Sequence, residues 1–251
     1  WATSAVNVSG SACSVENTDI GETIHGFTAY QVFLNFSSSG TVTLNSAGLL
    51  DELRLYPEAA LVTSYSYQPL AGISEVCDAN NYITRYEYDA FSRLQYTEDH
   101  FGNGMNFTEY QLRAPGNATN QNYIRHETAV VPGISRQAFE TGTLQNIQSR
   151  RVLTYLDGIG REMQQVEVSQ SPSGKDIVNF QEYDAFGRQP RSYLPYSTEI
   201  LPGGYKISAI EDQHNFYATG TDWEFTDFAY DEKTFEDAPS GKVIRDAFAG
   251  E

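Results

Sequence analysis

Apolar and polar residues alternate over short stretches along most of this chain, and runs of helical period are scarce. Tyr30, Val32, Leu34 and Phe36 fall on one face of an extended segment, Val42 and Leu44 follow a Ser-Ser-Ser-Gly break, and Leu53 and Leu55 repeat the pattern. Such period-two alternation predicts half-buried strands. Residues 1–62 therefore read as part of a β-sandwich, with further strands upstream. Residues 63–113 read as hairpins, the small polar stretch 114–122 as a linker, and 123–251 as a second β-rich domain. In that last region strands are predicted over 152–155, 163–168 and 177–183, with an exposed loop over 169–174. One helix is predicted over 206–217, where Ile207, Ile210 and Phe216 or Tyr217 recur near 3.6 residues. The fold class is mainly β, built from antiparallel hairpins, with at most one or two short helices.

One phrase recurs. Tyr86-Glu87-Tyr88-Asp89-Ala90-Phe91-Ser92-Arg93 returns as Tyr183-Asp184-Ala185-Phe186-Gly187-Arg188, and more loosely as Tyr155-Leu156-Asp157-Gly158-Ile159-Gly160-Arg161. Repetition points to architecture, because a catalytic site is needed once. The residue types spell a hairpin. Tyrosines suit a pleated strand, and Tyr86 and Tyr88 share a face. Aspartate opens a type I turn by accepting a backbone N–H two residues on. Gly160 and Gly187 tolerate a positive φ, whereas Ser92 in their place implies an altered or strained turn. Arginine then begins the return strand, its stem across an aromatic ring and its fork free for the turn carboxylates.

This phrase resembles the tyrosine–aspartate (YD) repeat of RHS proteins. Tyr65-Ser66-Tyr67-Gln68-Pro69-Leu70-Ala71-Gly72-Ile73 and Cys77-Asp78-Ala79-Asn80-Asn81 are similar to a unit of RHS-like surface proteins of Bacteroidota, with glutamine where aspartate usually caps the turn. Ser171-Pro172-Ser173-Gly174-Lys175-Asp176 and Tyr193-Leu194-Pro195-Tyr196 resemble the β-rich domain beside those repeats, and Asp51 to Pro57 resembles the last strand of a carbohydrate-binding jelly roll. The resemblance implies a piece of a longer chain that is secreted or held on the bacterial cell surface at the outer membrane. Its partners would be the rest of that chain, outer-membrane protein-secretion machinery or a C-terminal polymorphic toxin. It also implies an extended sheet that encloses a toxin or displays an adhesion surface.

Composition narrows the function. With 33 acidic against 16 basic residues the net charge is −17, which opposes binding to nucleic acid and to anionic membranes. No apolar run is long enough for membrane insertion as a helix. Tyr and Phe number 17 and 14 against two Met and two Trp, the bias of an aromatic-lined sheet. Cys13 and Cys77 read as free, buried small residues, with a bridge in a secreted protein left open.

Catalytic patterns are lacking. Asp51-Glu52, Glu98-Asp99, Glu211-Asp212, Asp231-Glu232 and Glu236-Asp237 are neighbours that point to opposite strand faces, unlike a glycosidase pair. His25, His100, His126 and His214 stand in no ligand spacing, and neither a metal nor another cofactor is expected. Asp78, Asp99 and Asn103 fit no EF-hand, and the sequons at Asn7, Asn35, Asn106 and Asn117 are chance matches. The reading is a non-enzymatic scaffold whose structural residues are Tyr86, Tyr88, Asp89, Arg93, Tyr155, Asp157, Gly160, Arg161, Tyr183, Asp184, Gly187 and Arg188. The alternative is a glycan-binding module using Tyr30 and Phe33, and a glycoside-acting enzyme ranks below it.

Overall fold

The computed structural model describes residues 1–113, 121–220 and 225–250. Strands dominate, with two helices among the described residues, and two compact units divide at Met105. The mainly β, antiparallel expectation holds.

In the first unit, β1 (Val6–Gly10) pairs with β4 (Val42–Ser46), and β2 (Cys13–Ile24) pairs with β3 (Phe27–Phe36). His25 and Gly26 join β2 to β3, both at positive φ (50° and 84°), the geometry of a two-residue hairpin loop. Next come β5 (Ser64–Gln68), β6 (Gly72–Cys77), β7 (Ile83–Tyr88) and β8 (Leu94–Glu98), with β6, β7 and β8 each paired antiparallel to the strand before it.

One expectation fails here. Leu53 and Leu55 lie in no strand and are 68% and 74% exposed. The alternation persists, but its polar half faces inward. Arg54 donates to the carbonyls of Val62, Cys77 and Asp78, and Glu52 pairs with Arg54 while accepting from Ser64 and Ser66. That network enforces the inversion, because a buried guanidinium must be met by acceptors.

The second unit takes in β9 (Gly104–Gln111), β10 (Asn122–Ala129), α1 (Arg136–Glu140), β11 (Ser149–Leu156), β12 (Glu162–Glu167) and β13 (Asp176–Phe180). It continues through β14 (Arg191–Tyr193), β15 (Tyr196–Thr198), α2 (Ala209–Thr219), β16 (Tyr230–Phe235) and β17 (Val243–Ala247). Strands β9 to β13 run as an antiparallel meander with β15 beside β13, and β14, β16 and β17 form a three-stranded sheet. Its core gathers Tyr155, Val166, Val178, Phe180, Tyr196 and Ala209. Val166 of β12 and Val178 of β13 are cross-strand partners and point inward together, with Gln164, Asp176 and Phe180 buried at the alternate positions because side chains alternate along a strand.

The predicted helix exists, and Phe216 and Tyr217 of its predicted face pack against the core, but the two isoleucines do not. Ile207 and Ile210 are 78% and 48% exposed, whereas Ala209 and Gln213 are buried. Gln213 donates its amide to Ala229 O at 2.6 Å, a long-range bond that sets the rotation of α2. The short helix α1, capped by the Ser135 hydroxyl, was not foreseen. Of the expected linker, residues 114–120, including the Asn117 sequon, lie outside the described residues, and Asn122 already opens β10.

Candidate functional site

One turn is built again and again. In the loops starting at Asp78, Asp89, Asp99, Asp157 and Asp184, the aspartate Oδ1 accepts the N–H two residues on and the N–H four residues on, at 2.8–3.0 Å. The residue three places on is left-handed each time, with φ from 60° to 86°: Asn81, Ser92, Gly102, Gly160 and Gly187. This is the type I turn followed by a left-handed residue that closes three-residue hairpins. Ser171 copies it with a hydroxyl, accepting Lys175 N at 2.7 Å. Ser92 therefore adopts the same turn as glycine and carries the left-handed strain. At Gln68, where the capping carboxylate is missing, the left-handed residue moves to Leu70 (φ 64°), which is 98% exposed.

The second carboxylate oxygen holds the residue four places on. Arg93, Arg161 and Arg188 each donate Nε to their own aspartate's Oδ2 at 2.7 Å, and the Asn103 amide does so to Asp99 at 2.9 Å. The arginine side-chain bond is the main reason that Asp89 and Asp157 sit below the usual carboxylate range. At Asp184 loss of water pushes upward as the largest single influence, but the backbone and side-chain bonds from Arg188 and the Phe186 N–H together outweigh it. Three of the roughly four acceptor sites of each of these carboxylates are thereby committed to its own turn.

Hairpins that emerge at the same end of a sheet then lock together. Tyr88 donates its hydroxyl to Ile73 O at 2.9 Å, and Tyr183 donates to Glu162 O at 2.8 Å. In both cases the acceptor follows directly after the turn's final position, Gly72 or Arg161. The Arg161 guanidinium lies 4.2 Å from the Tyr183 ring centroid. At Gly72 there is no side chain, and a Cβ there would stand 2.6 Å from the Tyr88 hydroxyl.

A further copy escaped sequence reasoning. Phe235 lies 4.6 Å over Arg188, whose Nη1 donates to Glu236 O and Ala238 O at 3.1 and 2.7 Å. Glu236 N then bonds Lys242 O at 2.9 Å, closing a loop two residues longer, with Gly241 left-handed. Glutamate for aspartate, lysine for arginine and the longer loop hid it. The surviving signal was an aromatic–acid pair followed by Gly-Lys.

The remaining expected residues scatter. Tyr155 is buried in the core and donates to Gly203 O at 2.6 Å, and burial pushes its phenol up to about 12. Tyr86 is half-buried opposite Thr97. Tyr30 and Phe33, also half-buried, stand three residues apart on β3 and so point to opposite faces, forming no common platform. Both cysteines are free; burial raises the Cys77 thiol above its ordinary value.

Two cavities accompany these turns. One in the first unit, about 350 Å³, is lined by Trp1, Phe27, Glu75, Arg85, Glu98 and His100. Arg85 ties both carboxylates, Glu75 at 3.0 Å and Glu98 at 3.4 Å, and His25 stands 3.6 Å from Glu98. His100 accepts Ile83 N–H at 3.2 Å and is held below its usual pKa by burial. The other, about 400 Å³ in the second unit, opens between Arg161, Tyr183, Tyr205 and Ile210. Among the described residues no group of three or more His, Cys, Asp or Glu is placed to hold a metal.

No curated protein matches the chain. Residues 127–251 match a family model described as a domain of unknown function, DUF6443, a stretch that contains the Asp157 and Asp184 turns and the core of the second unit.

Proposed function

We propose that this chain is a structural segment of a large secreted or cell-surface protein of the RHS-like kind. In this reading its hairpins extend a β-sheet scaffold and perform no catalysis. The observation that carries the reading is the repeated lock: the turn aspartates spend their carboxylates on their own turns, and Tyr88, Tyr183 and Phe235 each grip the hairpin before their own. The turn aspartates thus bind their own backbone and their own arginines, which suits a scaffold. The scaffold serves the rest of a longer chain, either a toxin that it encloses or an adhesive surface that it displays, with export through the outer membrane.

Hydrogen exchange tests this. Arg161→Gln and Arg188→Gln should each accelerate amide exchange in their own hairpin and in the next hairpin along the chain, and leave distant strands protected. Exchange confined to the mutated turn would refute lateral locking.

A second reading is favoured by one feature, the first-unit cavity. Phe27, Arg85 and Glu98 line a space large enough for a small sugar, offering a ring face beside donors and acceptors. That glycan-binding surface lies away from Tyr30 and Phe33. A glycan array with the whole chain, repeated with Arg85→Met, decides it: binding that the substitution abolishes favours the second reading, and an empty array sinks it.

A further inference from the structure

Lys206 and Asp176 form an ion pair at 3.0 Å with side chains only 2% and 1% exposed. Burying two opposite charges gains little over an apolar pair of the same volume, because desolvation cancels most of the attraction. The surroundings nevertheless hold both groups rigidly. Asp176 Oδ1 accepts Ser169 N–H at 3.0 Å, and Oδ2 accepts Gly203 N–H at 2.6 Å. Lys206 is pinned through its main chain by buried Gln164, which accepts the Lys206 N–H at 2.7 Å and donates to its carbonyl at 3.1 Å. The ammonium has one further acceptor, Leu201 O at 2.6 Å. Tyr155, keeping its proton, donates to the carbonyl of Gly203, in the peptide unit next to the one whose N–H faces the carboxylate.

The lysine nitrogen and the aspartate carboxyl, the two groups that an amide would join, are thus held in contact away from water. We propose that Lys206 and Asp176 condense into an intramolecular amide that links the loop before α2 to the start of β13. One proton passes from Nζ to the carboxylate, and the amine lone pair attacks Cγ to form the N–C bond. The Ser169 and Gly203 N–H groups face the oxygens on which negative charge gathers, and such preset donors favour a tetrahedral intermediate. A second proton from nitrogen goes to the departing oxygen, the C–O bond breaks, and water leaves. The pair itself carries both hydrogens and the oxygen of that water, so no other reactant is needed. Holding the groups in contact replaces an encounter that would be slow between free amine and acid.

Intact mass of the denatured chain decides. The wild type should weigh less than its sequence by one water, and Lys206→Arg should show its full sequence mass. Asp176→Asn should lose one ammonia instead and converge on the same mass as the wild-type product. Proteolysis of the wild type should release a branched peptide joining the segments around residues 176 and 206. A wild-type mass equal to that of the sequence, with no branched peptide, overturns the proposal, and this outcome does not depend on whether any variant folds.

Discussion

Tyr183 joins two hairpins by two separable contacts, and that makes it the sharpest probe of the lock. Its hydroxyl donates to Glu162 O, and its ring covers the Arg161 guanidinium at 4.2 Å. Tyr183→Phe keeps the ring and removes the hydroxyl's hydrogen bonds, the one to Glu162 O and the longer ones with Gln181 and Gln189, a typical bond having a net worth of about 0.5–1.5 kcal/mol. Tyr183→Leu removes the ring contact as well, which at a partly exposed arginine adds about 0.5–1 kcal/mol. The two variants should therefore rank in that order in urea unfolding of the whole chain, with exchange accelerated at the start of β12. Arg161→Met completes a double-mutant cycle. Combined with Tyr183→Leu it should cost about 0.5–1 kcal/mol less than the two single changes added together, since the shared contact can be lost only once. Tyr183→Phe combined with Arg161→Met should show no such shortfall. Additivity of the leucine pair to within about 0.3 kcal/mol would mean that the stacking carries no energy, and the account of lateral locking would fail.

Glycine substitutions separate backbone strain from crowding. Gly160→Ala, at φ 86° with nothing within 4 Å of the new Cβ, should cost about 1 kcal/mol in thermal unfolding. Gly187→Ala should cost more, because its Cβ would also stand 3.1 Å from Arg161 Nη1; equal costs would count against the crowding. Asp89, Asp157 and Asp184 have depressed values when folded, so the stability they contribute is present above the unfolded value of 3.8 and is lost as pH falls below it. The melting temperature should thus drop on acidification below about pH 4, less steeply when all three are asparagine; parallel curves would refute the linkage. Cys77, buried and with a raised pKa, should resist thiol reagents at neutral pH until the first unit unfolds, while Cys13, which is half-buried, reacts earlier. Mapping of the labelled peptide checks this order.

The turns were legible because everything they need lies within five residues: an aspartate, a residue that accepts positive φ, and an arginine. Tolerance of Ser92 and Asn81 at the left-handed position was not legible, since local bonds outweigh a modest steric cost that residue type alone overstates. The position of α2 followed from periodicity, but only part of its buried face did, because a distant carbonyl at Ala229 claims Gln213. Likewise nothing near Leu53 and Leu55 announces that Arg54 will serve carbonyls of a strand end more than twenty residues away. The buried partnership of Lys206 with Asp176 spans thirty residues and left no local mark.

The two tyrosine locks between neighbouring hairpins run one way. Tyr88 reaches back to Ile73, and Tyr183 reaches back to Glu162; in each case the donor comes later in the chain than the carbonyl that it seizes. A polypeptide emerging amino end first can therefore close each of these two locks against a hairpin already in place. Growth at these locks is vectorial, like laying courses of brick, and a stalled chain would keep the locks behind the stall closed.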